Sequence, residues 1–317
     1  MASWVASDRR GVVVVDVRWA DELDDGTALA VRELLGRATS ADGVAPVSEQ
    51  AVLSLHEKGA ARHLLAERAG AIVGYANLVA AHGQHPAMAE AAVDTEARGS
   101  GVGTELVRAA LAAGGAGARV WAHGDRPAAK AVAARLGLVT ARELWQMRRP
   151  LATPELPELT VPDDIVLRTY SGPADDAELL RVNNAAFHWH PEQGGWTERD
   201  IEMRRAEPWF DPKGLFIATA ADDPSRVLGF HWTKVHHEEN PPVGEVYIVG
   251  IDPAAQGRGL GRLLTLAGLH HLRDRGLPEV LLYTEADNTA AVHTYTRLGF
   301  TTAHVDVAYA VPASDRT

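Results

Sequence analysis

The stretch 245–263 constrains the fold most, because it combines the signals of a strand, a tight loop and a helix. Val246 to Gly250 is apolar, β-branched or aromatic apart from its glycine, which predicts a buried strand closed by Asp252 and Pro253. Glycines follow at 257, 259 and 261, and apolar residues then recur with the period of a helix. The stretch therefore predicts a strand, a glycine loop and a helix in succession.

Such a loop leaves backbone N–H groups unpaired at the positive end of a helix, where a pyrophosphate can bind. Neither the Gly-x-Gly-x-x-Gly pattern of dinucleotide folds nor the Gly-Lys-Ser/Thr of a P-loop is present. The pattern Gln-x-x-Gly-x-Gly, which begins at Gln256, resembles the coenzyme A loop of the GCN5-related N-acetyltransferases, the GNAT family. The alternative is a strand-to-helix turn that binds nothing.

The first half of the chain repeats this pattern. Gly101 and Gly103 precede Gly259 and Gly261 by 158 residues. Two further matches keep the same order, between 135–138 and 297–300 and between 72–75 and 227–230. Three ordered matches at a nearly constant offset predict a tandem repeat. Spaced prolines predict an extended connector at 151–164, between domains at 1–150 and 165–317.

The second copy indicates an α/β fold with one mixed α+β sheet. Strand-like runs at 165–170, 215–220, 227–234, 279–285 and 302–310 alternate with helical patterns at 174–187, after Thr197 and at 289–298. Together with the duplicated glycine loop, this pattern predicts two tandem GNAT domains.

Composition limits the possible partners. The net charge of −11 over 317 residues argues against nucleic acid and anionic membranes, which need a basic surface. The absence of cysteine excludes a cysteinyl intermediate. Histidines 188 and 190 are too few to predict a metal site. No apolar run approaches the ~18 residues of a membrane span, so we expect a cytoplasmic protein without a membrane partner. We also expect a monomer.

The two copies differ where chemistry is expected. Alignment on the glycine loops places Glu245 opposite Ala87, and alignment on the Arg-Leu-Gly turns places Tyr295 opposite Ala133. We therefore hypothesise that the C-terminal copy is catalytic, and that the N-terminal copy is a scaffold that can still hold acetyl-CoA.

Direct transfer from a thioester to an amine requires a base, a donor to the oxyanion and an acid for the thiolate. Glu245 is the candidate base, acting directly or through a water, and Tyr295 is the candidate acid. A backbone N–H near Val249 would meet the oxyanion, at a bulge permitted by Gly250. On position alone, Glu245 also fits a solvated strand entrance and Tyr295 a core packing role.

Five segments carry a narrower resemblance, at 41–47, 121–124, 181–187, 190–196 and 229–236. They are similar to the tandem GNAT acetyltransferases of thiol biosynthesis in actinobacteria, from about residue 30 to 310. The resemblance implies acetylation, by acetyl-CoA, of the cysteinyl amine of desacetylmycothiol (Cys-GlcN-Ins). Two alternatives remain: acetylation of another amine, such as an aminoglycoside or a protein N-terminus, and a non-catalytic acyl-CoA sensor.

The same resemblance implies the site residues. Ser100 departs from the family pattern, which often has a basic residue there. Substrate contacts would come from Glu49, Glu192, Lys234, Glu245 and Tyr283. Acetyl-CoA in the second copy would contact Val249, Gly250, Ile251, Gln256, Gly257, Arg258, Gly259, Leu260, Gly261, Arg262, Asn288, Ala290, Ala291, Val292, His293 and Thr294. A second acetyl-CoA would contact Ala91, Ala92, Val93, Gly99, Ser100, Gly101, Val102, Gly103 and Thr104.

Overall fold

A computed structural model describes residues 2–8, 11–83, 85–188, 193–237 and 239–313, with the backbone alone for residues 2–8 and 11–14. The chain forms two compact units. The first holds the chain up to Glu143 together with the residues from Val305 onward, and the second is Leu144–His304. This division differs from the predicted domains at 1–150 and 165–317.

The described residues form thirteen strands and eight α-helices, numbered here in chain order. The strands are β1 (Ala2–Asp8), β2 (Gly11–Ala20), β3 (Arg62–Arg68), β4 (Ala71–Val79), β5 (Met88–Val93), β6 (Arg119–Ala122), β7 (Val139–Pro150), β8 (Ile165–Thr169), β9 (Leu215–Ala220), β10 (Val227–His236), β11 (Val243–Ile251), β12 (Glu279–Glu285) and β13 (Thr301–Ala310). The helices are α1 (Asp25–Asp42), α2 (Glu49–Leu53), α3 (Val102–Gly114), α4 (Pro127–Leu136), α5 (Asp176–Ala186), α6 (Glu198–Arg205), α7 (Leu260–Asp274) and α8 (Thr289–Arg297). Within the described residues, no helix is both long and apolar enough to cross a membrane.

The first unit is built on a mixed sheet in the order β1-β2-β3-β4-β5-β6. Its neighbours are antiparallel except for β5 and β6, which are parallel. The last strand of the chain extends this sheet, since Val307 to Ala310 of β13 pair with Ala122 to Arg119 of β6. The first unit is therefore completed by the C-terminus of the chain.

The second unit has a matching sheet in the order β8-β9-β10-β11-β12-β7. Again one pair, β11 and β12, is parallel. Its closing strand comes from before the predicted boundary, because Leu144 to Pro150 of β7 pair with Glu285 to Glu279 of β12. The predicted connector also contributes to this unit, since Leu151 and Leu156 are buried in its core. Each such burial stabilises the fold by about 2 kcal/mol.

The sheet of the second unit has a core on each face. One core packs α7 against Val246 of β11, and the other packs α5 and α6 against Ile248 of the same strand. Residues two apart in a regular strand share a face, so β11 must change its alternation between them. It does so at Tyr247, where the pairing shifts from Trp232–Ile248 to Thr233–Val246. This β-bulge leaves Glu245 on the face of α5 and α6.

Candidate functional site

The glycine loop of the second unit ends at an uncapped helix. Gly259 is the N-cap of α7 with φ 78°, a left-handed conformation that disfavours other residues, and no side chain caps the helix. A Cβ built on Gly261 would meet nothing within 4 Å. The N–H groups of the first turn are thus presented to open space, as binding of a phosphate requires.

Asp252 holds this loop in place. Its carboxylate accepts a hydrogen bond from Arg181 Nη1 at 2.7 Å and one from the backbone N–H of Ala254 at 2.9 Å. Burial alone would raise the pKa of Asp252, but the hydrogen bonds outweigh it and lower the pKa below its ordinary value. Asp94 has the same role in the first unit, where it accepts from Arg37 and from the N–H of Glu96.

The loop of the first unit opens onto a cavity. Gly101 is the uncapped N-cap of α3 with φ 91°. A cavity of about 590 Å³ is lined by this loop, by Val93 at the end of β5, by Trp121 of β6 and by His123, which follows that strand. Ser100, where the family pattern differs, is buried and donates its hydroxyl to the carbonyl of Ala97 at 2.5 Å. The volume lies in the range of ligand pockets, about 300–1,000 Å³.

In both units the parallel strands part beside the loop. In the second unit they pair only between Gly244–Val246 and Val280–Leu282, although β11 continues to Ile251. In the first unit they pair only between Met88–Glu90 and Arg119–Trp121. Parted strands leave backbone N–H and C=O groups available to an extended ligand.

The predicted bulge at Gly250 is wrong. The pairing of β10 with β11 shifts at Tyr247, and Gly250 itself pairs regularly with Phe230. A Cβ on Gly250 would lie 2.7 Å from the ring of Phe230, so this glycine is needed for close packing. The strands part because the pairing of β11 with β12 ends, so no bulge at Gly250 is required.

Three predicted substrate residues share one face of the second sheet. Lys234 pairs directly with Glu245, and Tyr283 lies two residues beyond Leu281, the partner of Glu245 on β12. Glu245 is buried at 7% exposure, whereas Tyr283 is 49% exposed. The Lys234 ammonium lies 5.2 Å from the ring centroid of Trp209, a cation–π contact that orients it.

The two other predicted substrate residues are not tested by this geometry. Glu49 is the first residue of α2, in the first unit, and is exposed. Glu192 lies outside the described residues.

Glu245 has a partner that sequence reasoning missed. His236 Nε2 lies 2.7 Å from Glu245 Oε2, and both side chains are largely buried, at 19% and 10% exposure. The available signal was the alternation in β10, which puts His236 on the same face as Lys234.

Tyr295 lies on the opposite side of the sheet. It projects from α8 into the core beside α7, with its ring edge-to-face on Phe300 at 5.8 Å. Burial raises the pKa of Tyr295 to about 12, so the phenol stays protonated through the neutral range. Asn288, a predicted acetyl-CoA contact, caps α8, since its side chain accepts from the N–H of Ala291 at 3.2 Å. Glu245 and Tyr295 thus lie on opposite sides of the sheet in which β11 and β12 part.

The counterpart of Glu245 in the first unit is Met88. Gly74 and Gly229 are equivalent positions of the repeat, so Val79 and Lys234, each five residues later, are equivalent too. Val79 pairs with Met88, and Lys234 pairs with Glu245. The alignment of Glu245 with Ala87 is therefore wrong by one residue, because the bulge at Tyr247 adds a residue to β11. Ala133, the predicted counterpart of Tyr295, is buried on α4.

The first unit has its own buried carboxylate, which sequence reasoning also missed. Glu90 accepts from the N–H and hydroxyl of Ser48 at 3.1 and 2.9 Å and lies 2.8 Å from His123 Nε2. His123 Nδ1 lies 3.3 Å from Asp306. Burial alone would lower the pKa of His123, but hydrogen bonds with Asp306 and Glu90 raise it to about 9. Both oxygens of Glu90 are thus occupied.

Each unit has parted parallel strands beside an uncapped glycine loop, and comparison with known proteins identifies the class of protein with this arrangement. The chain belongs to the acetyltransferase (GNAT) family, whose family model matches residues 29–138 and 183–300. It is an acetyltransferase, and the predicted α/β fold of two GNAT domains is confirmed.

The chain is similar over nearly its whole length to particular members of the family. The mycothiol acetyltransferase of Nocardia farcinica (strain IFM 10152) is 80% identical over 296 residues, which cover 93% of this chain and 98% of that protein. The mycothiol acetyltransferase of Rhodococcus opacus (strain B4) is 64% identical across 92% of this chain and 97% of that protein. The predicted resemblance is therefore confirmed.

Solved structures share the fold. A tandem GNAT protein from the clavulanic acid biosynthesis pathway superposes with a TM-score of 0.64 at 18% identity, covering 95% of this chain and 100% of that chain. A GCN5-related N-acetyltransferase from Sphaerobacter thermophilus gives a TM-score of 0.68 at 22% identity, covering 93% and 94%. At these identities the likeness shows the fold alone.

Proposed function

We propose that the chain transfers an acetyl group from acetyl-CoA to the cysteinyl amine of desacetylmycothiol (Cys-GlcN-Ins), and so forms mycothiol. One observation carries this proposal: a buried glutamate, Glu245, lies beside the parted strands of the second unit, on the face that also presents Lys234 and Tyr283. The mycothiol acetyltransferases to which the chain is similar support the choice of acceptor.

The proposed reaction is direct transfer in a ternary complex. The amine nitrogen attacks the thioester carbonyl carbon, and its proton passes to Glu245, directly or through a water. A backbone N–H of β11 near Val249 donates to the oxyanion. The carbon–sulfur bond then breaks, the Tyr295 hydroxyl protonates the departing thiolate, and the phenolate regains a proton from water before the next turnover. The chain has no cysteine to form an acyl-enzyme, which favours the direct route.

The second unit is suited to hold acetyl-CoA. In the proposal, the first turn of α7 and the glycine loop from Gln256 to Arg262 bind the pyrophosphate. Residues 249–251 and the start of α8, from Asn288 to Thr294, lie along the rest of the cofactor. Support comes from the open space over Gly261 and from the uncapped end of α7. Arg258 is paired with Asp164, so the loop N–H groups carry the phosphate contact here.

The acceptor carries an ammonium and many hydroxyls. Carboxylates accept hydrogen bonds from both kinds of donor, and the Lys234 ammonium donates to hydroxyl oxygens. In the proposal Glu245, Lys234 and Tyr283 contact the acceptor in the second unit, and Glu49 and Glu192 complete the substrate set by resemblance to the family.

The first unit, in the proposal, binds a second acetyl-CoA without transferring its acetyl group. Its uncapped loop and its cavity of about 590 Å³ support binding. Met88 and Ala133 occupy the positions of Glu245 and Tyr295, and neither side chain can accept or donate a proton. Glu90 is held by Ser48 and His123 and so is poorly placed to act as a base.

The proposed function is tested by mass spectrometry of the product. Acetyl-CoA and desacetylmycothiol are mixed with the protein, and free CoA thiol is measured in parallel. We expect an increase of one acetyl group on the cysteinyl amine and equimolar thiol release. Thiol release with an aminoglycoside or a peptide N-terminus, but not with desacetylmycothiol, would overturn the acceptor assignment. No thiol release with any amine would indicate a sensor.

We expect Tyr295→Phe to lower kcat by about 10²-fold, the lower range for losing a general acid. The ring remains packed on Phe300, so Tm and the Kd for acetyl-CoA should be unchanged. Because burial raises the pKa of Tyr295 to about 12, the wild-type phenol should show no titration in kcat up to pH about 10. Tyr309→Phe, which removes a phenol bonded to Asp125 in the first unit, is the control. Wild-type kcat in Tyr295→Phe would remove this residue from the mechanism.

A further inference from the structure

His236 is the closest polar neighbour described for the Glu245 carboxylate. Its Nε2 lies 2.7 Å from Glu245 Oε2, a distance typical of a charge-assisted hydrogen bond. The two residues are held across the antiparallel ladder of β10 and β11, where His236 pairs with Val243 and Lys234 pairs with Glu245. The contact therefore depends on the register of rigid strands, not on a flexible loop.

The contact leaves one carboxylate oxygen available. Within the part of the chain that the structure describes, Glu245 Oε1 accepts no hydrogen bond, whereas Oε2 contacts His236. A carboxylate has few rotational constraints of its own, so a donor on one oxygen determines where the other oxygen points. A group that must accept a proton benefits from such fixed orientation, because misplacement by about 1 Å can cost two orders of magnitude in rate.

Other charged and titratable groups on this face have different partners. Lys234 lies over Trp209 and Tyr247, and the Tyr247 hydroxyl accepts from Arg204 Nε at 3.1 Å. From the neighbouring strands, the Tyr283 hydroxyl accepts from Gln146, and Arg148 pairs with Glu279. At the described end of the β10–β11 hairpin, His237 and Glu239 are exposed. Among the described residues of this face, His236 is thus the group placed to orient Glu245.

We propose that His236 is a positioning residue for the base: its imidazole donates Nε2–H to Glu245 Oε2 and directs Oε1 toward the amine. This inference rests on the proposed function of Glu245. The proton moves from the amine nitrogen to Oε1, and His236 keeps its Nε2 proton throughout. Once product has left, Glu245 returns its proton to water. The histidine touches neither substrate nor thioester in this scheme.

The proposal predicts a graded response to substitution. His236→Leu removes the donor, and kcat should fall by about tenfold to a hundredfold, the worth of a hydrogen bond to a charged group. The KM for desacetylmycothiol should change little, because the histidine contacts no substrate in this scheme. His236→Gln keeps an amide donor at a similar reach, and should retain most of kcat.

Three further measurements separate positioning from a structural role. His237→Leu, the exposed neighbour, should leave kcat and KM unchanged. The Kd for acetyl-CoA should stay the same in His236→Leu, because the histidine lies away from the glycine loop. In an enzyme that already carries Glu245→Gln, adding His236→Leu should cause no further loss of kcat, since it acts through Glu245.

The outcomes distinguish this inference from the proposed function. If wild-type protein releases no thiol from acetyl-CoA with desacetylmycothiol, the proposed function fails. If wild-type is active but His236→Leu keeps its kcat, the positioning role alone is wrong. An equal fall of kcat in His236→Leu and His236→Gln would also overturn it, since that pattern reports altered packing and not the loss of a donor.

Discussion

We expect Gly261→Val to abolish acetyl transfer while the second unit stays folded. A Cβ at this position meets nothing within 4 Å, so the valine side chain occupies the space proposed for the pyrophosphate and displaces no protein atom. Losing several hydrogen bonds to a charged phosphate, each worth about 1.5–3 kcal/mol, should lower turnover by more than about a thousandfold. Valine is a better helix former than glycine, so Tm should not fall.

The matched control is Gly103→Val in the first unit. A Cβ there would lie 3.4 Å from Val93 and 3.7 Å from Val132, which is ordinary van der Waals contact. Calorimetric titration with acetyl-CoA should give two sites per chain for wild-type and one for each variant. Turnover should be lost only in Gly261→Val. Equal loss of turnover in both variants would contradict the proposal that only the second unit is catalytic and that the first unit only binds acetyl-CoA.

The local elements could be predicted because their signals lie within a few residues. The strand, glycine loop and helix of 245–263 appear as β11 and α7, and Gly259 has the left-handed conformation that a loop of this kind requires. Thr197 and Asn288 cap α6 and α8, as their side chains suggested. Each depends on capping or glycine geometry, which a short window of sequence determines.

The sequence does not predict which of the two sheets each closing strand, β7 or β13, joins. Both β7 and β13 follow an Arg-Leu-Gly turn and both are strand-like, so the local pattern fits either sheet. The pairing of β13 with β6 and of β7 with β12 is decided by long-range packing. A tandem repeat is prone to this ambiguity, because its two copies offer the same edge to the same kind of strand.

The partners of the buried carboxylates Glu245 and Glu90 could not be predicted either, because strand pairing brings them together. His236 lies nine residues from Glu245, and only the register across β10 and β11 brings them to 2.7 Å. His123 lies 33 residues from Glu90 and meets it through the parallel pairing of β5 and β6. The bulge at Tyr247 likewise exists only in the pairing, and it changed the counterpart of Glu245 from Ala87 to Met88.

We expect Glu245→Gln to lower kcat by about 10²–10⁴-fold, the range for removing a general base. Glutamine keeps the shape of the side chain and its contact with His236, and its amide is easier to bury than a carboxylate. The Kd for acetyl-CoA and Tm should therefore match wild-type. Glu239→Gln, an exposed glutamate close to β10 in sequence, is the control and should keep full turnover.

Comparison of Glu245→Gln with Gly261→Val separates chemistry from binding. Both variants should be inactive, yet titration should show two acetyl-CoA sites in Glu245→Gln and one in Gly261→Val. Raising acetyl-CoA should restore part of the turnover in Gly261→Val and none in Glu245→Gln, because a missing base is not replaced by occupancy. Wild-type kcat in Glu245→Gln would show that the amine loses its proton elsewhere, and the pairing of Glu245 with His236 would then be structural.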